Sequence, residues 1–169
     1  MSNFGGAAIG KHLYDIITSS IPDNSVMLEF GSGPSTPEFT KHYTVYSVEQ
    51  NTKYLNQCKE SNYIYAPIQS YSNGENEYKW YDISILKMEL PETYDFILVD
   101  GPQGRFGHPA RIGFEKNISL FNLNVPIFFD DTHRPHEYQQ AQNVAQLANK
   151  ELITLDYRDK EGCKFSYFI

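Results

Sequence analysis

Two apolar runs end in acids: YDFILVD (94–100) closes on Asp100 and VPIFFDD (125–131) on Asp130 and Asp131. The first is followed by DGPQGRFGHPARIG (100–113), which has four glycines, two prolines, Arg105, His108 and Arg111. The second is followed by DDTHRPHE (130–137), which adds His133 and Arg134. Carboxylates and histidines can accept a proton, or ligate a hard divalent cation. Arginines can grip a carboxylate or phosphate through two parallel hydrogen bonds. Asp100, Asp131 and His133 are therefore the candidate catalytic groups, and Arg105, His108, Arg111 and Arg134 the candidate holders of an anionic substrate. A divalent metal is compatible with these acids, but their spacing is no metal signature. The same residues have plainer uses: Asp130 or Asp131 as a helix cap, Arg134 and Glu137 as a solvated ion pair.

A second set of residues could hold a cofactor. In LEFGSGPSTPEF (28–39) an apolar run stops at Glu29, and Gly31, Ser32 and Gly33 follow at once. Glycines let backbone approach a ligand closely, and a helix start offers free N–H groups. Ser35 or Thr36 can cap the next helix, Pro37 suits its first turn, and Glu38 can form a capping box with Ser35. Glu49 ends a further apolar run, TVYSVE (44–49), where a carboxylate can grip two ribose hydroxyls. Its separation from Glu29 is close to the roughly 20 residues expected for that acid. The third glycine of a dinucleotide-binding loop is replaced by Thr36. Glu29 suits an ammonium and a sulfonium better than a pyrophosphate. Both details favour S-adenosylmethionine (SAM) over NAD.

These groups need a scaffold that brings several loops to one edge. VMLEF (26–30), TVYSVE, YIYAPI (63–68), YDFILVD and VPIFFDD are mostly non-alternating, as expected of strands buried on both faces of a parallel sheet. Helical patterns separate them at 51–60, 112–122 and 135–150, and Ile9, Leu13, Ile16 and Ile17 mark an initial helix over 6–20. LITLDYR and GCKFSYFI flank Asp159-Lys160-Glu161-Gly162, a hairpin signal. SYSNGENEYKWYD (70–82) is expected to be a polar loop holding the only Trp. The fold class is α/β: one domain over 1–169 with a doubly wound, Rossmann-like, mostly parallel sheet and an antiparallel C-terminal hairpin. The loops after 100 and 131 then emerge side by side at the crevice.

The 169 residues suit a single core. The net charge of −7, without a basic run, argues against nucleic acid or an anionic membrane as partner. Cys58 and Cys163 form no disulfide framework or metal spacing. No stretch approaches the length of a membrane span, and the start of the chain lacks the pattern of a secretory signal, so a cytoplasmic protein is expected.

The sequence LEFGSGPST…YSVEQN…DFILVDGP…FFDD resembles the class I SAM-dependent methyltransferases, notably a group with E-x-GSG-x-ST, V-E and LVDG motifs. The resemblance runs from about Val26 to the C-terminal hairpin. It implies that Glu29, Gly31, Ser32 and Gly33 line the methionine part of SAM. It also implies that Glu49 holds the ribose, that Gln50 lies beside the adenine, and that Asp100 lies near the methyl group. No residue after the third strand obviously caps the adenine; Asp82 is a candidate. Over residues 94–140 the chain is also similar to the plant glucuronoxylan O-methyltransferases. There a D-x-P-x-G loop, a later Arg and D-x-x-R-x-x-E are matched by Asp100, Pro102, Gly104, Arg111, Asp131, Arg134 and Glu137.

The expected activity is O-methylation of a small or sugar-like anionic acceptor. Three rival classes remain open: aminocarboxypropyl transfer from SAM, a NAD-dependent oxidoreductase, and a non-catalytic SAM-binding module. No insertion is long enough to form a lid, so the site is expected to be open to part of a larger molecule, or closed by a second subunit in a homo-oligomer.

Overall fold

The computed structural model describes residue 4 and residues 8–74, 76–104 and 111–169. Among the described residues, five α-helices and nine strands follow in the order α1 (Lys11–Ser20), β1 (Val26–Phe30), α2 (Thr36–Phe39), β2 (Thr44–Glu49), β3 (Asn62–Tyr65), β4 (Ile68–Asn73), β5 (Asn76–Tyr81), α3 (Ile83–Glu89), β6 (Phe96–Val99), α4 (Ile112–Lys116), β7 (Ile127–Phe129), α5 (Pro135–Leu147), β8 (Ile153–Asp156) and β9 (Lys164–Phe168). A seven-stranded sheet runs β3-β2-β1-β6-β7-β9-β8. Its first four contacts are parallel, and β9 is antiparallel to both β7 and β8. This is the expected doubly wound sheet with its antiparallel hairpin.

The apolar runs do not alternate because both faces of the sheet are covered. Leu28 and Phe30 of β1 face one side with Val48, Ile97, Val99, Ile127 and Phe129, packed against Trp80, Phe114 and α5. Met27 faces the other side with Val45, Phe96, Leu98 and Phe128, packed against Leu13 and Ile17 of α1. Among the described residues no helix is long and apolar enough to cross a membrane.

Three local expectations are corrected. Residues 51–60 form turns rather than a helix, and Asn56 there has a φ of +59°, outside the right-handed helical region. The expected polar loop at 70–82 contains the β4–β5 hairpin, with Trp80 and Tyr81 fully buried. Asp82, the candidate for the adenine, is engaged elsewhere: its carboxylate caps α3, accepting from the Ser84 and Ile85 amides. Gly113 explains how α4 reaches the Trp80 ring, since a Cβ there would overlap the indole.

Candidate active site

The strand order reverses at β1, so the loops leaving β1 and β6 part beside each other and leave a crevice between them. The Asp100 amide still donates to the Phe30 carbonyl (3.0 Å), and the Gly31 amide to the Val48 carbonyl (2.9 Å). Gly31 has a φ of +90°, and a Cβ on it would lie 2.9 Å from Cα of Gly101. A Cβ on Gly101 would lie 2.7 Å from Cα of Gly31. The two loops touch backbone to backbone, and only glycine permits that contact. A cavity of about 270 Å³ opens at this junction. Part of its wall is Gly31, Ser32, Gly33, Glu49, Gln50 and Tyr54; another part is Asp100, Asp130, Asp131, Arg111, Arg134 and Lys160.

Glu29 supports the glycine loop from beneath and is not part of the cavity wall. It is 1% exposed. The Thr36 hydroxyl donates to it at 3.0 Å and the Ser47 hydroxyl at 2.7 Å. The Gly33 amide donates in turn to the Thr36 oxygen (3.0 Å), so strand, loop and helix start are tied through one hydroxyl. Thr36 thus has a role that a third glycine cannot fill. Ser35 is the residue before α2, but its side chain makes no capping hydrogen bond.

Burial pushes the Glu29 carboxyl up to about 7; the Ser47 and Thr36 hydrogen bonds oppose the rise and the Glu49 charge adds to it. A carboxyl whose folded pKa exceeds its ordinary 4.5 contributes stability that is complete below about pH 4.5 and is lost as pH rises through 7. The rise corresponds to about 3 kcal/mol. Glu29→Gln keeps the shape and cannot ionise. Its stability relative to wild type is therefore expected to improve by about 3 kcal/mol between about pH 4.5 and 8 in urea unfolding. A difference that does not change with pH would contradict the assignment.

Glu49 closes β2 and is 2% exposed. Its carboxylate accepts from the Ser32 amide (3.0 Å) and the Asn51 amide (2.6 Å), which pins the glycine loop to the end of β2. Burial raises its pKa, and these amides, with that of Gln50, hold the rise back. The Ser32 hydroxyl meets the Tyr63 hydroxyl at 3.0 Å. Gln50 lines the cavity, and its buried Oε1 has no hydrogen-bond partner among the described residues.

The acidic end is built around one guanidinium. Arg111 is 4% exposed. It donates to Asp100 (3.1 Å), to Asp131 (2.9 Å) and to the Asp130 carbonyl (2.8 Å). This is a correction to the expectation for Arg111: its fork is committed to the protein's own acids rather than open to a substrate anion. Oxygens of Asp100, Asp130 and Asp131 lie within 4.8 Å of one another, so a divalent cation there would share its ligands with Arg111.

The pKa values of the two flanking acids move in opposite directions. Burial, then the neighbouring Asp130 charge, raises the Asp100 pKa well above the usual carboxylate range, against the pull of Arg111. Burial also works on Asp131, but Arg111, then Arg134, Lys160 and His133, outweigh it and hold it below that range. Asp131 has a left-handed φ of +58°, which an Asp tolerates better than most side chains. Asp130 accepts from the Tyr157 hydroxyl at 2.7 Å.

Arg134 pairs with Asp131 at 3.1 Å, with 45% of its side chain exposed. His133 Nδ1 lies 4.0 Å from Asp131, and the residue is not part of the cavity wall. Arg105 and His108 fall outside the described residues. The wall also holds residues whose sequence context gave them no site role, among them Ala8, Tyr54 and Lys160. Lys160 comes from the turn between β8 and β9. Its ammonium donates to the Ala8 carbonyl (3.2 Å), lies 3.9 Å from Asp130, and sits 5.2 Å from the centre of the Tyr157 ring.

No family model matches the sequence, and no curated protein does. Solved structures do. A precorrin 8w decarboxylase from Methanobacterium thermoautotrophicum aligns with a TM-score of 0.58 at 12% identity, over 97% of this chain and 91% of that one. The E. cuniculi Mtq2-Trm112 complex, which methylates the eRF1 translation termination factor, aligns with a TM-score of 0.58 at 14% identity, over 99% and 97%. A methyltransferase from Pyrococcus furiosus aligns at 0.57 and 12% identity, over 94% and 80%. The architecture is therefore the class I methyltransferase fold. At such identities the likeness concerns the fold, and function has to be argued from the cavity.

Proposed function

We propose that this chain is a SAM-dependent methyltransferase acting on a hydroxyl of a small or sugar-like anionic acceptor. One observation carries the reading: Asp100, an acid with a raised pKa, shares a cavity with the Gly31–Gly33 loop and Glu49. The residues fit the cofactor. The unpartnered Gln50 Oε1 can accept from the exocyclic amine of adenine, and Tyr54 offers an aromatic face nearby. Glu49 keeps lone pairs for ribose hydroxyls. The Gly31–Gly33 side of the cavity wall would hold the methionine part. When bound, SAM supplies an electrophilic methyl group on a sulfonium.

The acceptor hydroxyl must lose a proton as it attacks. Asp100, ionised, takes that proton on its carboxylate, and its raised pKa makes it a stronger base than an ordinary Asp. Arg111 fixes the orientation of that carboxylate. Asp131, held ionised, balances the guanidinium. The anionic group of the acceptor falls to Arg134 and Lys160 rather than to Arg111. Arg134 is half-exposed on the wall, and Lys160 meets a carbonyl, a distant carboxylate and the face of the Tyr157 ring. Mtq2 was solved with a protein partner, Trm112; a partner or a second subunit could likewise close the open side here.

The test is cofactor affinity. Removing a charge-assisted hydrogen-bonding carboxylate costs about 1.5–3 kcal/mol. Glu49→Ala is therefore expected to weaken S-adenosylhomocysteine (SAH) binding by about 10- to 100-fold. Calorimetry on a variant with an intact circular dichroism spectrum reads this directly; unchanged affinity would remove Glu49 from the site.

A further inference from the structure

Helix α1 begins without a cap of its own. Gly10 is its N-cap residue and has no side chain to offer. The acceptor is supplied from 148 residues away: Asp159, in the β8–β9 turn, accepts from the Lys11 amide (2.5 Å) and the His12 amide (3.2 Å). Its neighbour Lys160 donates to the Ala8 carbonyl at 3.2 Å. Gly10 lies so close to Tyr157 that a Cβ on it would overlap the ring. The turn therefore holds this stretch at three points: the Ala8 carbonyl, Gly10, and the Lys11 and His12 amides.

This strap matters because of what it touches. Ala8 and Lys160 are both part of the cavity wall. Tyr157, under Gly10, donates to Asp130 at the acidic end. A wall made of chain that precedes its helix has no backbone ladder to hold it; here the burial of Ile9 and the contacts from the turn take that place. We propose that Asp159 is a positioning residue: by capping α1 from the opposite end of the chain it helps to fix the stretch before the helix and so keeps Ala8 in the cavity wall, and ligand binding and the cap stabilise each other. The ligand half of this statement rests on the reading of the cavity as a SAM site.

If the strap is ordered only part of the time, apparent affinity falls by the fraction ordered. Losing an N-cap is a change of about 2- to 30-fold in the ordering equilibrium. Asp159→Ala is therefore expected to weaken SAH binding by more than two-fold and by at most about 30-fold, the full change in the ordering equilibrium. Asp159→Asn, which can still accept at the cap, should recover most of the loss. Hydrogen exchange supplies a second readout. Without ligand, the Lys11 and His12 amides should exchange faster in Asp159→Ala than in wild type; with SAH, both should slow in wild type, since coupling is reciprocal. Two findings would overturn the proposal: equal exchange of these amides in wild type and Asp159→Ala, or SAH affinity within two-fold of wild type in a folded Asp159→Ala. Failure of the wild-type protein to bind SAH would instead refute the cofactor reading and the coupling built on it, while the ligand-free exchange would still decide whether Asp159 holds the strap.

Discussion

Asp100→Asn is expected to slow methyl transfer by about 10²- to 10⁴-fold, the usual contribution of a positioned general base, while SAH affinity stays within a few-fold. The asparagine keeps an oxygen for Arg111 but cannot take up the acceptor's proton. The pH profile gives a second handle. A base works only when ionised, and burial and Asp130 raise the Asp100 pKa well above the usual range. Wild-type activity should therefore be low in acid and climb as pH passes that raised value. The variant should lack this limb. Asp131→Asn is the control, since Asp131 is held ionised by Arg111 and Arg134 and titrates below the usual range. Turnover by Asp100→Asn within a few-fold of wild type would reduce Asp100 to a structural partner of Arg111.

Arg111→Met should be the most destabilising single change in the site. The side chain is 4% exposed and its guanidinium bridges Asp100, Asp131 and the Asp130 carbonyl. Methionine restores much of the volume but leaves an ionised Asp131 with its buried partner gone. Breaking one side of a buried ion pair costs about 3–5 kcal/mol. Denaturant unfolding should show a loss of that size. Adding Asp131→Asn should return part of it, because the charge then left with only its half-exposed Arg134 pair and more distant cations is removed and Asn also tolerates a left-handed backbone. A loss of under about 1 kcal/mol, the range of exposed pairs, would mean that Arg111 is far more hydrated than its burial indicates.

The parts of the fold legible in the sequence are those with one dominant physical cause. The runs VMLEF, FILV and IFF lack polar alternation because helices cover both faces, and all three lie in the parallel part of the sheet. Asp159 to Gly162 marked the hairpin, and Gly162 has the positive φ that such a turn needs. The neighbouring exits of β6 and β7 followed from strand order alone. The β4–β5 hairpin carried a signal that was outweighed. Asn73-Gly74 is a turn pair, Gly74 has a φ of +67°, and Asn73 pairs with Asn76, but the polar composition around it resembles a loop. Arg111 shows a deeper limit. An arginine in a glycine-rich loop looks available to a ligand until burial is known, and burial is a tertiary property. Lys160, Asp159 and Ala8 were illegible for a related reason. Their roles come from contacts across most of the chain, and no local pattern encodes a cap supplied from 148 residues away.

The central claim is that the cavity between the Gly31 loop and Asp100 binds SAM. Calorimetric titration of the unmodified protein with SAH, with NAD run alongside, tests it most directly. One SAH per chain with no binding of NAD is the expected result. Binding of NAD in preference to SAH, or no binding of SAH, would contradict it.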